Sequence, residues 1–358
     1  MYKRQAKDDF FYHVAPPLLA AVQVASDLRM PLLVTGEPGT GKTELAKWIA
    51  RWLANPKNLQ NGAEPYRFDT KTTSSAKDLF YRYDTIRHFS KRETASNPLE
   101  FITFEAMGKA IIDAKKDAAR QVVLVDEIDK APRDFPNDVL FQFEKFAFRV
   151  DEATDFDFAA FADLEKHAKG RSFNRDKNGN ICCAEGAEPP FLLLTSNSEK
   201  NLPDAFLRRC VYYHIAFPKD SSDQVLKEIV RRKTRASETY LQHLDDILHY
   251  FFENVRNRGL QKKPATAELI KWVDALSRPG HEVNWDKLKG ENPDPLMKDR
   301  LRETMPVLLK NREDLEGFLN PYLQRVAGSN TIHLVHSTMT PPASSSLVIQ
   351  SCARRTDP

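Results

Sequence analysis

Eight consecutive residues, Gly36-Glu37-Pro38-Gly39-Thr40-Gly41-Lys42-Thr43, fit the spacing G-x-x-x-x-G-K-[ST]. Phosphate oxygens need several donors at close range, and residues without side chains let successive backbone N–H groups turn inward around them. A helix beginning at Lys42 or Thr43 adds its positive end. In that arrangement Lys42 bridges the β- and γ-phosphates as a point charge, and the Thr43 hydroxyl ligates Mg²⁺. A chance glycine-rich turn could carry the same letters. The place of this one, between an expected strand and an expected helix, argues against chance.

A second cluster follows the apolar run Val122-Val123-Leu124-Val125, which ends in Asp126-Glu127. A carboxylate at a strand end can hold the Mg²⁺ shell, the duty expected of Asp126. Glu127 is then placed to orient or deprotonate an attacking water, which makes the expected chemistry hydrolysis rather than binding alone. A surface helix cap is the competing reading of an acidic pair after a strand, and it weakens downstream of a phosphate loop.

A third apolar run, Phe191-Leu192-Leu193-Leu194, ends in Thr195-Ser196-Asn197. The Asn197 amide could hydrogen-bond both the γ-phosphate and the attacking water. Arg208 and Arg209 follow Ala205-Phe206-Leu207. An arginine presented to a neighbouring protomer's nucleotide stabilises charge in phosphoryl transfer and makes hydrolysis depend on assembly. The competing reading is an ordinary surface pair.

The elements that must position these groups alternate. A helix over 18–29, after Pro16-Pro17, leads to a strand at Leu32–Val34, the glycine turn, and a helix over Thr43–Leu53. Further expectations are a strand at Tyr66–Thr70, a helix at Ala76–Arg82, a helix at Phe104–Lys116, strands at Val122–Val125 and Phe191–Thr195, and a helix at Asn137–Phe146. Alternation of this kind argues for a parallel α/β sheet with helices on both faces. From about residue 220 the pattern turns helical, over Ser222–Lys233, Tyr240–Asn257, Thr266–Ser277 and Leu296–Leu309. The expected organisation is an αβα core over 1–218, a smaller all-helical domain over 219–327, and a disordered Ser/Thr/Pro-rich tail over 328–358.

Composition narrows the function classes. Hydrophobic residues at 41% and charged residues at 29% suit a chain of 358 residues that buries a core. Fifty-three basic against 50 acidic residues, a formal charge of +3, give no bulk field toward nucleic acid or anionic lipid. The longest apolar runs are strand-sized, and Met1–Phe10 lacks the apolar segment of a signal peptide. Four cysteines, Cys182, Cys183, Cys210 and Cys352, without CxxC spacing fit a reducing, cytoplasmic setting. Vicinal Cys182-Cys183 could be redox-active; two half-buried residues on a strand is the blander reading, and the preferred one.

GEPGTGKT, VVLVDEIDKAPRDFPNDVL, FLLLTSNSEKNLPDAFLRRC and KKPATAELIKW occur here in that order. Together they resemble the MoxR branch of the AAA+ ATPases, over about residues 10–325. The resemblance implies a P-loop core, a helical lid, a hexameric ring with ATP and Mg²⁺, Asn197 as sensor 1, and Arg209 as arginine finger with Arg208 in reserve. It also implies a helix-2 insert within 68–97 and an enlarged hairpin within 147–190. It further implies chaperone-like remodelling of a protein client, often beside a von Willebrand factor A domain protein. One departure stands out. Where such relatives place a sensor 2 arginine after a proline at the start of a lid helix, this chain has Lys262-Lys263-Pro264-Ala265-Thr266. Lys263 is the candidate substitute, but it offers a compact charge and no bidentate fork.

Asn174–Glu185 nearly fits a calcium-binding loop, yet Asn178-Gly179 is also a strong hairpin signal, and the hairpin is preferred. The acidic and aromatic stretch Asp151–Phe161 and the basic stretch Lys166–Lys177 read equally as a docking surface or a solvated insert. Two further functions remain open: a slow nucleotide-gated switch or scaffold, and a DNA-acting ATPase. The absence of an acceptor-substrate signature disfavours a metabolic kinase.

Overall fold

The computed structural model describes residues 10–54, 64–90, 101–116, 118–143, 145–153, 174–198, 202–289 and 292–327. Helix α1 (Pro16–Asp27) leads to β1 (Leu32–Gly36), α2 (Lys42–Ala54) and β2 (Tyr66–Asp69). Then come β3 (Tyr81–Tyr83), α3 (Thr85–Ser90), β4 (Ile102–Phe104), α4 (Ala106–Asp113), β5 (Val122–Asp126) and α5 (Phe135–Phe143). Short strands β6 (Ala147–Phe148), β7 (Asn174–Arg175) and β8 (Ile181–Cys182) precede β9 (Phe191–Ser196), α6 (Asp204–Leu207) and β10 (Val211–Ile215). The rest is helical: α7 (Gln224–Lys233), α8 (Leu244–Tyr250) running on as a π-helix over Phe251–Arg256, α9 (Thr266–Leu276), α10 (Pro295–Glu303) and α11 (Arg312–Ala327).

Five strands form one parallel sheet in the order β10-β1-β9-β5-β2. The runs that read as apolar throughout, β1, β5 and β9, are buried at every position. Successive side chains serve opposite faces. Leu32, Val34, Leu124 and Leu193 pack with α1 and α2, while Leu33, Val123, Val125, Leu192 and Leu194 pack with α4 and α5. Each such side chain contributes about 1.5–3 kcal/mol when fully buried. A separate core, centred on Trp272, Phe251, Phe252 and Leu248, holds the C-terminal helices together. Those helices begin where they can be capped. Asp223 accepts from Leu226 N–H at 2.7 Å ahead of α7, and Asp294 precedes Pro295 at the start of α10.

Several elements differ from the sequence expectation. Residues expected to form a helix over Ala76–Arg82 instead make a 3₁₀ turn at Ala76–Leu79 and then β3, paired antiparallel with β4. Phe104 joins β4, so the following helix starts two residues later and stops at Asp113. The helix expected over Leu296–Leu309 ends at Glu303, because Pro306 has no N–H to continue it. Strand β10 and helix α11 carried no recognised signal. At 174–185 the chain forms the hairpin rather than a calcium loop: Arg175 pairs with Ile181, and the Asp176 carboxylate is taken up by Asn178 N–H, Asn180 N–H and the Asn180 amide. The tail 328–358 and most of the acidic-aromatic and basic stretches lie outside the described residues.

Candidate active site

The carboxyl ends of β1, β9 and β5 lie side by side, the place where open parallel sheets collect ligands. From β1 the chain turns at Gly36 with φ 154° and at Gly39 with φ 80°, then enters α2 at Lys42. A Cβ at Gly36 would stand 2.6 Å from the Ile215 carbonyl oxygen, so only glycine fits between β1 and β10 there. The first N–H groups of α2 have no partner within the helix, and such N–H groups favour anions.

Lys42 is buried, and its ammonium donates to the carbonyls of Gly36 at 2.7 Å and Glu37 at 3.0 Å and to Asn197 Oδ1 at 2.9 Å. Burial lowers its pKa, against the opposing pull of Asp126, Asp129, Glu127 and Glu37. Thr43 donates to Asp126 Oδ2 at 3.2 Å, so a hydroxyl and a carboxylate converge from two different elements. Asn197 Nδ2 lies 3.5 Å from Glu127 Oε1. Thus Lys42, Thr43, Asp126, Glu127 and Asn197, separate in sequence, form one connected cluster. Glu127 itself has φ 56°, a left-handed conformation uncommon for a residue with a side chain. Its Oε2 accepts from Lys130 Nζ at 2.5 Å on the exposed side.

The structure adds residues that sequence reasoning passed over. Thr195 is wholly buried, donates to Asp126 Oδ1 at 2.5 Å and accepts from Glu127 N–H at 3.0 Å. Asp129 accepts from Asn197 N–H at 3.2 Å. Arg67 on β2 bridges Asp69 at 2.7 Å and Asp126 Oδ2 at 2.9 Å. The signal for Thr195 was visible as a polar residue closing an apolar strand, whereas Arg67 depends on β2 pairing beside β5.

Beside the glycine turn opens a cavity of about 580 Å³, lined by Tyr12, Gly39, Ile215, Phe217, Leu226 and Ile270 among others. It is largely apolar with a few polar groups, the usual make-up of a small-molecule site. Tyr12 lies against the turn, its ring 3.3 Å from where a Gly41 Cβ would be, and burial raises the pKa of its phenol.

Other expected site residues stand apart. Arg208 and Arg209, at the end of α6, are exposed, and among the described residues neither has an ion-pair or hydrogen-bond partner through its side chain. Lys263 is exposed as well, with no such partner among the described residues. The cation that does reach the turn from the C-terminal helices is Arg256, whose Nη2 lies 2.6 Å from Glu37 Oε2.

A family model described as an AAA domain matches residues 26–159. Comparison with curated proteins gives no match. Among solved structures, a RuvB variant from Thermotoga maritima aligns at 15% identity over 87% of this chain and 73% of its own, with a TM-score of 0.38. The AAA domain of FIGL-1 in complex with ADP aligns at 14% identity over 84% and 81%, with a TM-score of 0.35. The matched stretch spans the glycine turn, Asp126 and Glu127, and the five-stranded parallel sheet with its flanking helices has the AAA+ P-loop fold.

Proposed function

We propose that this chain binds Mg-ATP at the Gly36–Thr43 turn and hydrolyses it. The observation that carries the reading is the connection of Lys42 to Asn197 at 2.9 Å and of Asn197 to Glu127 at 3.5 Å, which joins a phosphate-binding cation to a carboxylate base through one amide. The glycine turn, with positive φ at Gly36, Gly39 and Gly41, suits a triphosphate. The hydroxyl of Thr43 and carboxylate of Asp126 are the hard oxygen donors that magnesium prefers. When bound, the ion would supply charge neutralisation on the phosphates. Lys42 and the backbone N–H groups bind and orient, Asn197 positions the water, and Glu127 accepts its proton. The apolar cavity beside the turn suits a nucleobase.

The finer reading is a MoxR-type remodeller, working as a hexameric ring on a protein client, possible partners including a von Willebrand factor A domain protein. The exposed Arg209, unpaired among the described residues, with Arg208 beside it, supports a role completed in a neighbouring protomer's site. In this reading 219–327 is the lid, and the exposed Lys263 is the candidate for the sensor 2 contact with the γ-phosphate. Among the described residues no helix is long and apolar enough to cross a membrane. The formal charge of +3 disfavours a DNA-acting role.

The test is nucleotide binding and turnover of wild type against Glu127→Gln. The variant is expected to bind Mg-ATP with near-unchanged affinity and to lose turnover by about a hundredfold or more. A wild-type chain that does not bind Mg-ATP would overturn the reading. A second reading, a slow nucleotide-gated switch, draws on Lys130, which occupies Glu127 Oε2 at 2.5 Å. It requires that Lys130→Ala raise turnover; an unchanged rate removes it.

A further inference from the structure

We propose that Arg256 is a positioning residue that couples the C-terminal helices to the glycine turn through Glu37, so that the seating of these helices sets nucleotide affinity. The proposal rests on the reading of the turn as an ATP site.

Arg256 is 6% exposed and joins three separate pieces of chain. Its Nη2 lies 2.6 Å from Glu37 Oε2 in the turn, its Nη1 donates to the Pro264 carbonyl just ahead of α9, and its guanidinium stacks 3.5 Å from the Phe217 ring centre beyond β10. A guanidinium withdrawn from water in this way must keep its partners, because an unpaired buried charge is strongly disfavoured. Swinging the helices away from the sheet would break the bond to Glu37 and leave the carboxylate and the guanidinium to be rehydrated separately.

Glu37 is also the hub of the turn. Its carbonyl accepts from Thr40 N–H at 3.3 Å, from Thr40 Oγ1 at 2.8 Å and from Lys42 Nζ at 3.0 Å. A shift of Glu37 imposed through its side chain is therefore passed by its backbone to the lysine that meets phosphate. The turn and the start of α9 also touch directly, since a Cβ at Gly39 would lie 3.1 Å from Ala265 Cβ.

The local backbone supports the assignment. Arg256 ends a π-helix in which Asn257 N–H bonds to the Phe252 carbonyl at 2.9 Å. Wider turns of this kind are uncommon and recur at functional sites. Here the wider turn keeps Phe251, Phe252 and Val255 in the helical core while Arg256 reaches Glu37. Linkage makes the effect reciprocal: if the contact favours bound nucleotide, bound nucleotide favours the contact.

The test is a double-mutant cycle read in the Kd of a fluorescent non-hydrolysable ATP analogue with magnesium. Its members are wild type, Arg256→Gln, Glu37→Gln and the double variant, with Arg256→Lys as the conservative replacement. Each Gln variant is expected to weaken binding about tenfold, the double variant no more than the weaker single, and Arg256→Lys to recover part of the loss. Nucleotide should raise Tm less in the Gln variants than in wild type, a response that a merely structural role would not alter. Independent, multiplying losses, or a Glu37→Gln Kd within about twofold of wild type, would overturn the coupling. Should Arg256→Gln not fold, the half-exposed Glu37→Gln together with Arg256→Lys decides the matter. Failure of wild type to bind the analogue would instead defeat the reading of the site itself.

Discussion

The hydroxyl of Thr195 donates to Asp126 Oδ1 at 2.5 Å and, by also accepting the Glu127 backbone N–H, fixes the Asp126 carboxylate and the Glu127 main chain from one buried atom. Parallel pairing makes this possible: Val125 lies beside Leu194, so the next residues, Asp126 and Thr195, come together at the strand ends. Thr195→Val keeps the shape and removes both bonds. The expected result is a loss of about 1–3 kcal/mol in a urea unfolding series, together with a larger fall in turnover than in nucleotide affinity. Unchanged stability and turnover would show that Thr195 does not position the pair.

Arg209 should act on a neighbour. Wild-type turnover per protomer is expected to rise with protein concentration, and Arg209→Ala to lose about a thousandfold at saturation while still binding nucleotide. Arg208→Ala tests the reserve candidate. A concentration-independent rate in wild type would count against a shared site.

Gly36→Ala would place a methyl 2.6 Å from the Ile215 carbonyl at a backbone angle of 154°. The expected cost is about 1–3 kcal/mol, with weakened nucleotide binding, because β1 must part from β10 to admit it. Gly259→Ala is the control, since a Cβ there meets nothing within 4 Å. Equal melting temperatures for the two variants would refute the packing argument.

The pH dependence of stability has a contribution from Lys77, Tyr81 and Glu152. Burial opposes the charge on Glu152, but hydrogen bonds from Lys77 at 2.9 Å and Tyr81 at 2.9 Å outweigh it and lower its pKa. Burial likewise opposes the charge on Lys77, and hydrogen bonds with Glu152 and Tyr81 outweigh it and raise its pKa. A lowered carboxyl pKa gives stability that is present above the unfolded value, about 4.3, and lost as pH falls through the folded value. A raised ammonium pKa gives stability present below about 10.4 and lost as pH rises through the folded value. With Lys77 43% exposed, solvent screening keeps the effect to roughly 0.2–1 kcal/mol. Urea midpoints of Glu152→Gln should fall less steeply below pH 4 than those of wild type; parallel curves would dismiss the network.

The thiols should differ in reactivity. Burial pushes Cys183 up to about 11 and Cys210 up to about 12, and it raises Cys182 as well, with Asp176 adding to the effect. Alkylation at neutral pH, followed by mass spectrometry, is expected to modify Cys182 first and Cys210 last among the three described cysteines. A faster reaction at Cys183 than at Cys182 would contradict this order and revive a redox role for the pair.

Local chemistry made part of this protein legible from its letters alone. The glycine turn is one continuous stretch whose geometry follows from residue type, and β1, β5 and β9 declare themselves because burial on both faces makes Leu32–Val34, Val122–Val125 and Phe191–Leu194 apolar without a break. β10 escaped notice because Val211–Ile215 is an edge strand whose side chains alternate between half-buried and exposed. Ala76–Arg82 read as helix because its strand partner, Ile102–Phe104, lies some twenty residues on. Strand order alone brought Thr195 and Arg67 to Asp126. The pairing of Arg256 with Glu37 spans 219 residues and exists only because a separate helical core sits beside the glycine turn. Sequence therefore determined what the turn can hold, while tertiary packing decided which groups aim the carboxylates and which cation reaches the turn, since charge and hydrogen bonding act over a few ångströms of space however far apart the residues are along the chain.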